Sequence, residues 1–256
     1  MLSAAWRSAV AGVCFALFGI GGIGFSLVVF PLLRLLPGGR SAHERRARVL
    51  VRHSFLALLA ALQALRILRI EARNLASLRP SGALLVLANH PSYLDIVVLI
   101  AHIPDAVCVV KSKLWSNPFF GGVVRAAGYI RNDDPQALVP DCAACLAQGL
   151  PLIIFPEGTR TRPGTPLHFA RGAAHIALAT GVPILPVILG CEPRVLARGA
   201  KWYQMPARAF CITLEALPCT SAAALLPTKG AGARSLTSIL ERYFIDHLQG
   251  HERLAA

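Results

Sequence analysis

A histidine and an aspartate five residues apart, both embedded in apolar sequence, are the first side chains here equipped to do chemistry. In LLVLANHPSYLDIVVLI, residues 84–100, Asn89, His90, Ser92 and Asp95 form a polar knot between two greasy runs. Read as strand, turn and helix, this stretch sets His90 at the carboxyl end of a strand, where open α/β sheets bind ligands. Pro91 then suits the first helical position, where a missing N–H costs nothing. Asp95, about one helical turn further on, can reach back, hold one imidazole tautomer and steady the imidazolium formed on proton uptake. The pair reads as a histidine base with a carboxylate orienter. No G-x-S-x-G turn accompanies it, so the nucleophile is expected to come from the substrate, most simply a hydroxyl. Taken alone, this spacing is more often structural than catalytic.

A second knot, IIFPEGTRTRPG, also follows an apolar strand. Glu157, Gly158, Thr159 and Arg160 bring a carboxylate, a free backbone N–H, a hydroxyl and a guanidinium to another strand end. Arginine grips phosphate in a two-pronged manner that lysine does less well. In isolation this is a surface turn with a local ion pair. Two such knots on two strand ends make a site.

The elements that must carry them follow from periodicity. After residue 80 the short apolar runs ALLVLA, AVCVV, LPLIIF, PILPVIL and AFCITLEAL alternate with segments of helical period, DIVVLIAHI, QALVPDCAACLAQG and FARGAAHIALATG. This alternation predicts an α/β fold with a mostly parallel central sheet flanked by helices. Gly149 and Gly181 are the expected helix stops. SAAALLPTKGAGA reads as a loop and LTSILERYFIDHLQ as an amphipathic closing helix. The histidines show no convincing ligand pair, so no metal is expected; His102, His168 and His175 read as packing or surface residues.

The amino-terminal third differs. From Ala9 to Leu33 run 25 residues without a charge, and a helix of that length covers about 37 Å, enough for an apolar slab of about 30 Å. Glycines 19, 21, 22 and 24 dilute the signal, and Pro31 marks a stop or kink. Arginines crowd the downstream side, which puts that side in the cytoplasm. The following SFLALLAALQALRILRI reads as a helix whose Arg66 and Arg69 snorkel toward headgroups. One spanning helix and two helices in a single leaflet both satisfy the pattern. Residues 1–75 are therefore expected to form a membrane-associated helical segment and residues 76–256 an α/β domain, on the cytoplasmic face of a membrane, the inner one in a bacterium.

Composition agrees. Hydrophobic residues make up 55% of the 256 and charged ones only 15%, while the net charge of +13 favours anionic surfaces. Nucleic acid is not expected as a partner, because no RNP-like aromatics, zinc-finger spacing or basic repeat appears. The seven cysteines are odd in number and scattered, which suits reduced thiols. The CxxC of Cys142 and Cys145 lies in a helical segment and reads as packing.

Four ordered stretches then carry a resemblance: NHPSYLD, KSKLWSNPFFG, FPEGTRT and VPILPV are similar to the motif blocks of the glycerolipid acyltransferase family, in its 1-acylglycerol-3-phosphate (lysophosphatidic acid) branch. The likeness spans residues 84 to about 190. It implies an α/β acyltransferase domain on membrane-seated helices. It also implies transfer of a fatty acyl chain from a thioester, on acyl carrier protein or coenzyme A, to the hydroxyl of a lysophospholipid, with membrane lipids as partners and no cofactor beyond that co-substrate. By the same resemblance His90 is the base, Asp95 its partner and Lys111 an aid to the anionic acceptor, while Glu157, Gly158 and Arg160 bind its phosphate. Pro183 and Pro186 match the fourth, apolar block. One departure stands out. The second block of the family ends in an arginine several residues beyond a glycine; here Asp134 occupies that place, and Arg131 and Arg125 are the nearby candidates to replace it. A different acceptor, such as a lyso-aminolipid, and a non-enzymatic anionic-lipid-binding role are the competing readings.

Overall fold

The computed structural model describes residues 4–79, 82–161, 165–196, 199, 205–226 and 232–255; part of the expected SAAALLPTKGAGA loop lies outside them. Helix α1 (Ala4–Gly24) passes through one widened π turn (Phe25–Val29) into α2 (Phe30–Leu33), and α3 (Gly39–Ala64) follows after a sharp corner. The predicted stop at Pro31 thus falls two residues before the helix ends. The π turn lies just before the proline, with the Phe30 N–H reaching back to the Phe25 carbonyl. Beyond α3, β1 (Leu68–Arg73) is strand where a continued helix was expected. Arg66 adopts a left-handed conformation at φ 53 and turns the chain. RIEAR then alternates inward and outward, so a period of two displaces the helical one. Arg69 pairs with Glu71 on this edge strand.

The remaining elements are β2 (Leu84–Ala88), α4 (Leu94–His102), β3 (Val107–Lys111), α5 (Ser112–Trp115), α6 (Gly121–Ala126) and β4 (Ile130–Asn132). After them come α7 (Pro135–Ala147), β5 (Pro151–Ile154), α8 (Gly172–Thr180), β6 (Ile184–Glu192), β7 (Phe210–Ala216), α9 (Ala222–Leu225) and α10 (Ala233–Ala255). The sheet runs β1-β7-β6-β2-β5-β3-β4. Strands β2 to β6 are mutually parallel, whereas β7 is antiparallel to β6 and carries β1 beside it. The central strands β2 and β5 are wholly buried, which is why they read as unbroken apolar runs rather than alternations. Gly149 and Gly181 end their helices in left-handed conformations, as expected.

Helices cover both faces. On one lie α1, α3, α4 and α6, on the other α7, α8, α9 and α10. Closing helix α10 buries Leu236, Leu240 and Phe244 at spacings of four residues, and Phe244 meets Phe169 edge to face. Cys142 and Cys145 lie one turn apart on α7, and burial pushes their thiols up to about 12 and about 11. They stay protonated and pack, and all seven cysteines are free.

Small residues seat the amino-terminal helix. A Cβ on Gly22 would meet the Phe119 carbonyl oxygen at 2.6 Å, and one on Gly122 would collide with Ser26. Of the glycines that dilute the apolar run, Gly19 and Gly22 thus pack against Phe119, whereas Gly21 and Gly24 face open space. The opposite side exposes Val13, Leu17, Ile20, Leu27 and Val28. By length and composition two helices, Ala5–Leu33 and Gly39–Ala64, suffice to cross a membrane.

Candidate active site

Strand β2 ends at Ala88, where its pairing with β6 stops at Val187. Asn89 then does with its side chain what the backbone no longer does: its amide donates to the Leu189 carbonyl and accepts the Leu189 N–H, both at 2.7 Å. This buried double bond anchors the turn in which His90 sits. Helix α4 begins only at Leu94, not at Pro91. The turn before it is held open because its polar groups have other partners.

The first of those is Asp95, fully buried. Its Oδ2 accepts the Ser92 N–H at 2.6 Å and lies 2.9 Å from His90 Nδ1. With Asp95 ionised, Nδ1 carries the hydrogen and Nε2 keeps its lone pair. Nε2 makes no hydrogen bond among the described residues, and the imidazole remains 15% exposed. Beneath it Phe155 stacks nearly parallel, ring centres 4.0 Å apart. Burial pushes the Asp95 carboxyl above its usual range, while the bonds to His90 and Ser92 and the charge of Arg160 pull it back. An imidazole wedged between an aromatic face and a carboxylate, with one nitrogen open, is arranged to take a proton from a bound hydroxyl.

The second partner is the turn after β5. Glu157 Oε1 accepts the His90 backbone N–H at 2.8 Å, its Oε2 accepts the Thr161 hydroxyl at 2.6 Å, and the Thr161 N–H donates to the His90 carbonyl at 2.9 Å. The two polar knots are therefore tied directly together. Burial raises the Glu157 carboxyl, and its bonds to Thr161 and His90 offset part of that rise. Gly158 takes the left-handed conformation of a tight turn, and its N–H, expected to be free, is bonded to the Phe155 carbonyl at 3.0 Å. The turn needs that bond to close. Thr159 is half-buried beside it. Arg160 donates to the Leu196 carbonyl at 2.8 Å and lays its guanidinium 3.4 Å over the Tyr93 ring, a cation–π seat that fixes its plane at the rim.

Lys111 ends β3, exposed and outside this bonded network. Asp134, standing where the resemblance leads one to expect an arginine, caps α7 by accepting the Gln136 N–H at 2.8 Å. Arg131 pairs with Asp133 at 2.8 Å and leans over Trp115, and Arg125 donates to the Trp115 carbonyl. Neither reaches the His90 turn. Sequence reasoning named Asn89 in the first knot without giving it a role, and missed Tyr93, Phe155 and Thr161 as parts of the site. All four lie inside the quoted knots, but their roles depend on which strands become neighbours.

The chain has similar counterparts among known proteins. Residues 69–190, the stretch that holds both knots, match the model of the family described as Acyltransferase. The chain is similar to 1-acyl-sn-glycerol-3-phosphate acyltransferases. The Helicobacter pylori (strain J99) protein of that name is 40% identical over 116 residues, 43% of this chain and 49% of that one. The alpha form of Mus musculus is 30% identical over 169 residues, 62% of this chain and 58% of that one. The match thus spans about half the length of these relatives. The crystal structure of the 1-acyl-sn-glycerophosphate (LPA) acyltransferase PlsC from Thermotoga maritima superposes with a TM-score of 0.67 at 18% identity, over 94% of this chain and 97% of that one. That likeness bears on the fold.

Proposed function

We propose that the protein is an O-acyltransferase that moves a fatty acyl chain from an acyl thioester to the free hydroxyl of 1-acylglycerol-3-phosphate, giving phosphatidic acid at the cytoplasmic face of a membrane. The observation that carries this reading is the imidazole bonded through Nδ1 to a buried carboxylate, with Nε2 open at the carboxyl edge of the sheet. His90 Nε2 takes the hydroxyl proton as the oxygen attacks the thioester carbon, and Asp95 steadies the imidazolium. The tetrahedral intermediate expels the thiolate, which recovers the proton from Nε2. Arg160, fixed over Tyr93 and close enough to Asp95 to act on its charge, holds the acceptor phosphate near the reacting hydroxyl. The names of the relatives support the substrate class.

A second acceptor class is favoured by one observation, the carboxylate of Asp134 spent as a helix cap where the resemblance leads one to expect an arginine. Acceptors without glycerol phosphate, such as lyso-aminolipids, fit that change. The test is a membrane assay crossing acyl-CoA and acyl carrier protein thioesters with several lysolipids, products read by mass. Phosphatidic acid from lysophosphatidic acid, lost by about 10²–10⁴ in rate in a folded His90→Ala variant, is the expected result. Near-normal turnover in that variant removes the base.

A further inference from the structure

Beyond the bonded knots, the same edge of the sheet carries an open cavity of about 530 Å³ lined by Ser112, Lys113, Trp115, Ser116, Arg125 and Arg131. Three cations face it against one carboxylate, Asp133, which pairs with Arg131. The Arg131 guanidinium stands 5.6 Å over the Trp115 ring, Arg125 is held by the Trp115 carbonyl, and among the described residues Lys113 has no acidic partner. Lys113 lies inside the second motif block but is not one of the positions to which the resemblance gives a role, and Arg125 and Arg131 are only the nearby candidates for its displaced arginine.

Distance decides what such a site can hold. In the order β2-β5-β3-β4, strand spacings of about 4.8 Å place the ends of β3 and β4 about 10 and 14 Å from the end of β2. A glycerol phosphate carries its phosphorus only a few bonds from its hydroxyls, so an acceptor held at His90 keeps its phosphate beside Arg160. The thioester donor is different. Whether it is a coenzyme or a carrier protein, its sulfur ends a long pantetheine arm with two amides, and the far end of that arm is a phosphate.

On the acyl-transfer reading above, we propose that this cavity receives the phosphate end of the donor's phosphopantetheine arm, with Lys113, Arg125 and Arg131 as its anion contacts. The Trp115 ring supplies an apolar wall and the hydroxyls of Ser112 and Ser116 supply partners for the arm's amides. The site discriminates donors by their phosphate and leaves the acceptor alone.

The test uses the full chain in detergent, with S-acyl pantetheine, S-acyl 4′-phosphopantetheine, acyl-CoA and acyl carrier protein as donors. The wild type is expected to show a KM about tenfold or more lower for phosphorylated donors than for the phosphate-free one, as one lost charge-assisted contact implies. In Lys113→Ala/Arg131→Ala, both exposed positions, that ratio falls toward one while the lysophosphatidate KM stays put. A single Lys113→Glu gives the same loss without touching Arg131. Equal KM values for all donors in the wild type, or a rise in the acceptor KM in the variants, overturns the proposal. A non-transferable thioether analogue of the phosphopantetheine donor, titrated by calorimetry, separates this from the reaction itself. Tight binding that the variants weaken supports the cavity even without product, and binding they leave unchanged sinks it. Among active donors, parallel losses for coenzyme and carrier protein mark the shared phosphate, and a loss confined to one of them refutes a common phosphate contact.

Discussion

The turns after β2 and β5 and the segment after β3 all carry motif residues, yet they are built in opposite ways. In the first two nearly every polar group is committed. Asn89 holds Leu189, Asp95 holds His90 and Ser92, and Glu157 holds the His90 backbone and Thr161. Two groups are left over among the described residues, Asp95 Oδ1, which is buried without a partner, and His90 Nε2 on the partly exposed imidazole. In the segment from Lys111 to Asp134 the cations are exposed, joined to one another only through Trp115 and Asp133. On the proposed function, the difference separates chemistry from capture. A base must be held within a fraction of an ångström of its proton, whereas an anion far from the reacting bond needs charge and room.

Substitutions at the two kinds of residue should therefore fail differently. The largest effect is expected at Asp95→Asn. A single oxygen, Oδ2, accepts from both Ser92 and His90, so the amide oxygen can still take both bonds, but the imidazolium loses its counter-charge. A fall in kcat of about 10² or more is expected, with both KM values nearly unchanged and the donor preference retained. A matching fall in donor binding would erase the distinction drawn above. Glu157→Ala comes next. It touches no substrate in this geometry, yet it strips the acceptor from a part-buried backbone N–H, a loss worth about 1–3 kcal/mol. As a positioning residue it should lower kcat and the urea midpoint together and leave the acceptor KM in place. A selective rise in that KM would return Glu157 to the role the resemblance gave it, as a direct ligand of the acceptor.

Much of this architecture was legible in the sequence, for a physical reason. Five of the seven strands announce themselves as apolar runs because β2, β5 and the core of β6 are buried on both faces. β1 was hidden inside an apparent helix, since LRILRI fits a period of 3.6 until Arg66 turns the chain. β4, three residues long, carries too little pattern to be read at all. The pairing of His90 with Asp95 followed from local spacing. The tie from Glu157 to the His90 backbone did not, because it joins residues 67 apart whose strands become neighbours only through the crossover order. Gly158 differs, because its N–H looks free in a string of letters but is consumed locally, by the Phe155 carbonyl three residues back.

The smallest expected effect concerns pH, and it probes how completely Glu157 is committed. Burial lifts this carboxyl above its ordinary value of 4.5, the bonds from Thr161 and His90 notwithstanding. The folded state then binds its proton more tightly than the unfolded chain does. Its contribution to stability is fully present below the unfolded value and is lost as pH rises through the folded one. Asp95 is lifted by burial as well and acts with the same sign; it is present in both wild type and Glu157→Gln, and its charge beside Glu157 adds to the rise of that carboxyl. The stability of the wild type relative to Glu157→Gln should accordingly decline as pH climbs above about 4.5, the unfolded reference for a glutamate. Urea midpoints measured in parallel from acid to neutral pH read this directly. A gap that instead grows with pH would mean that the bonds to His90 and Thr161 outweigh burial, and that the turn holds its carboxylate more firmly than its surroundings resist it.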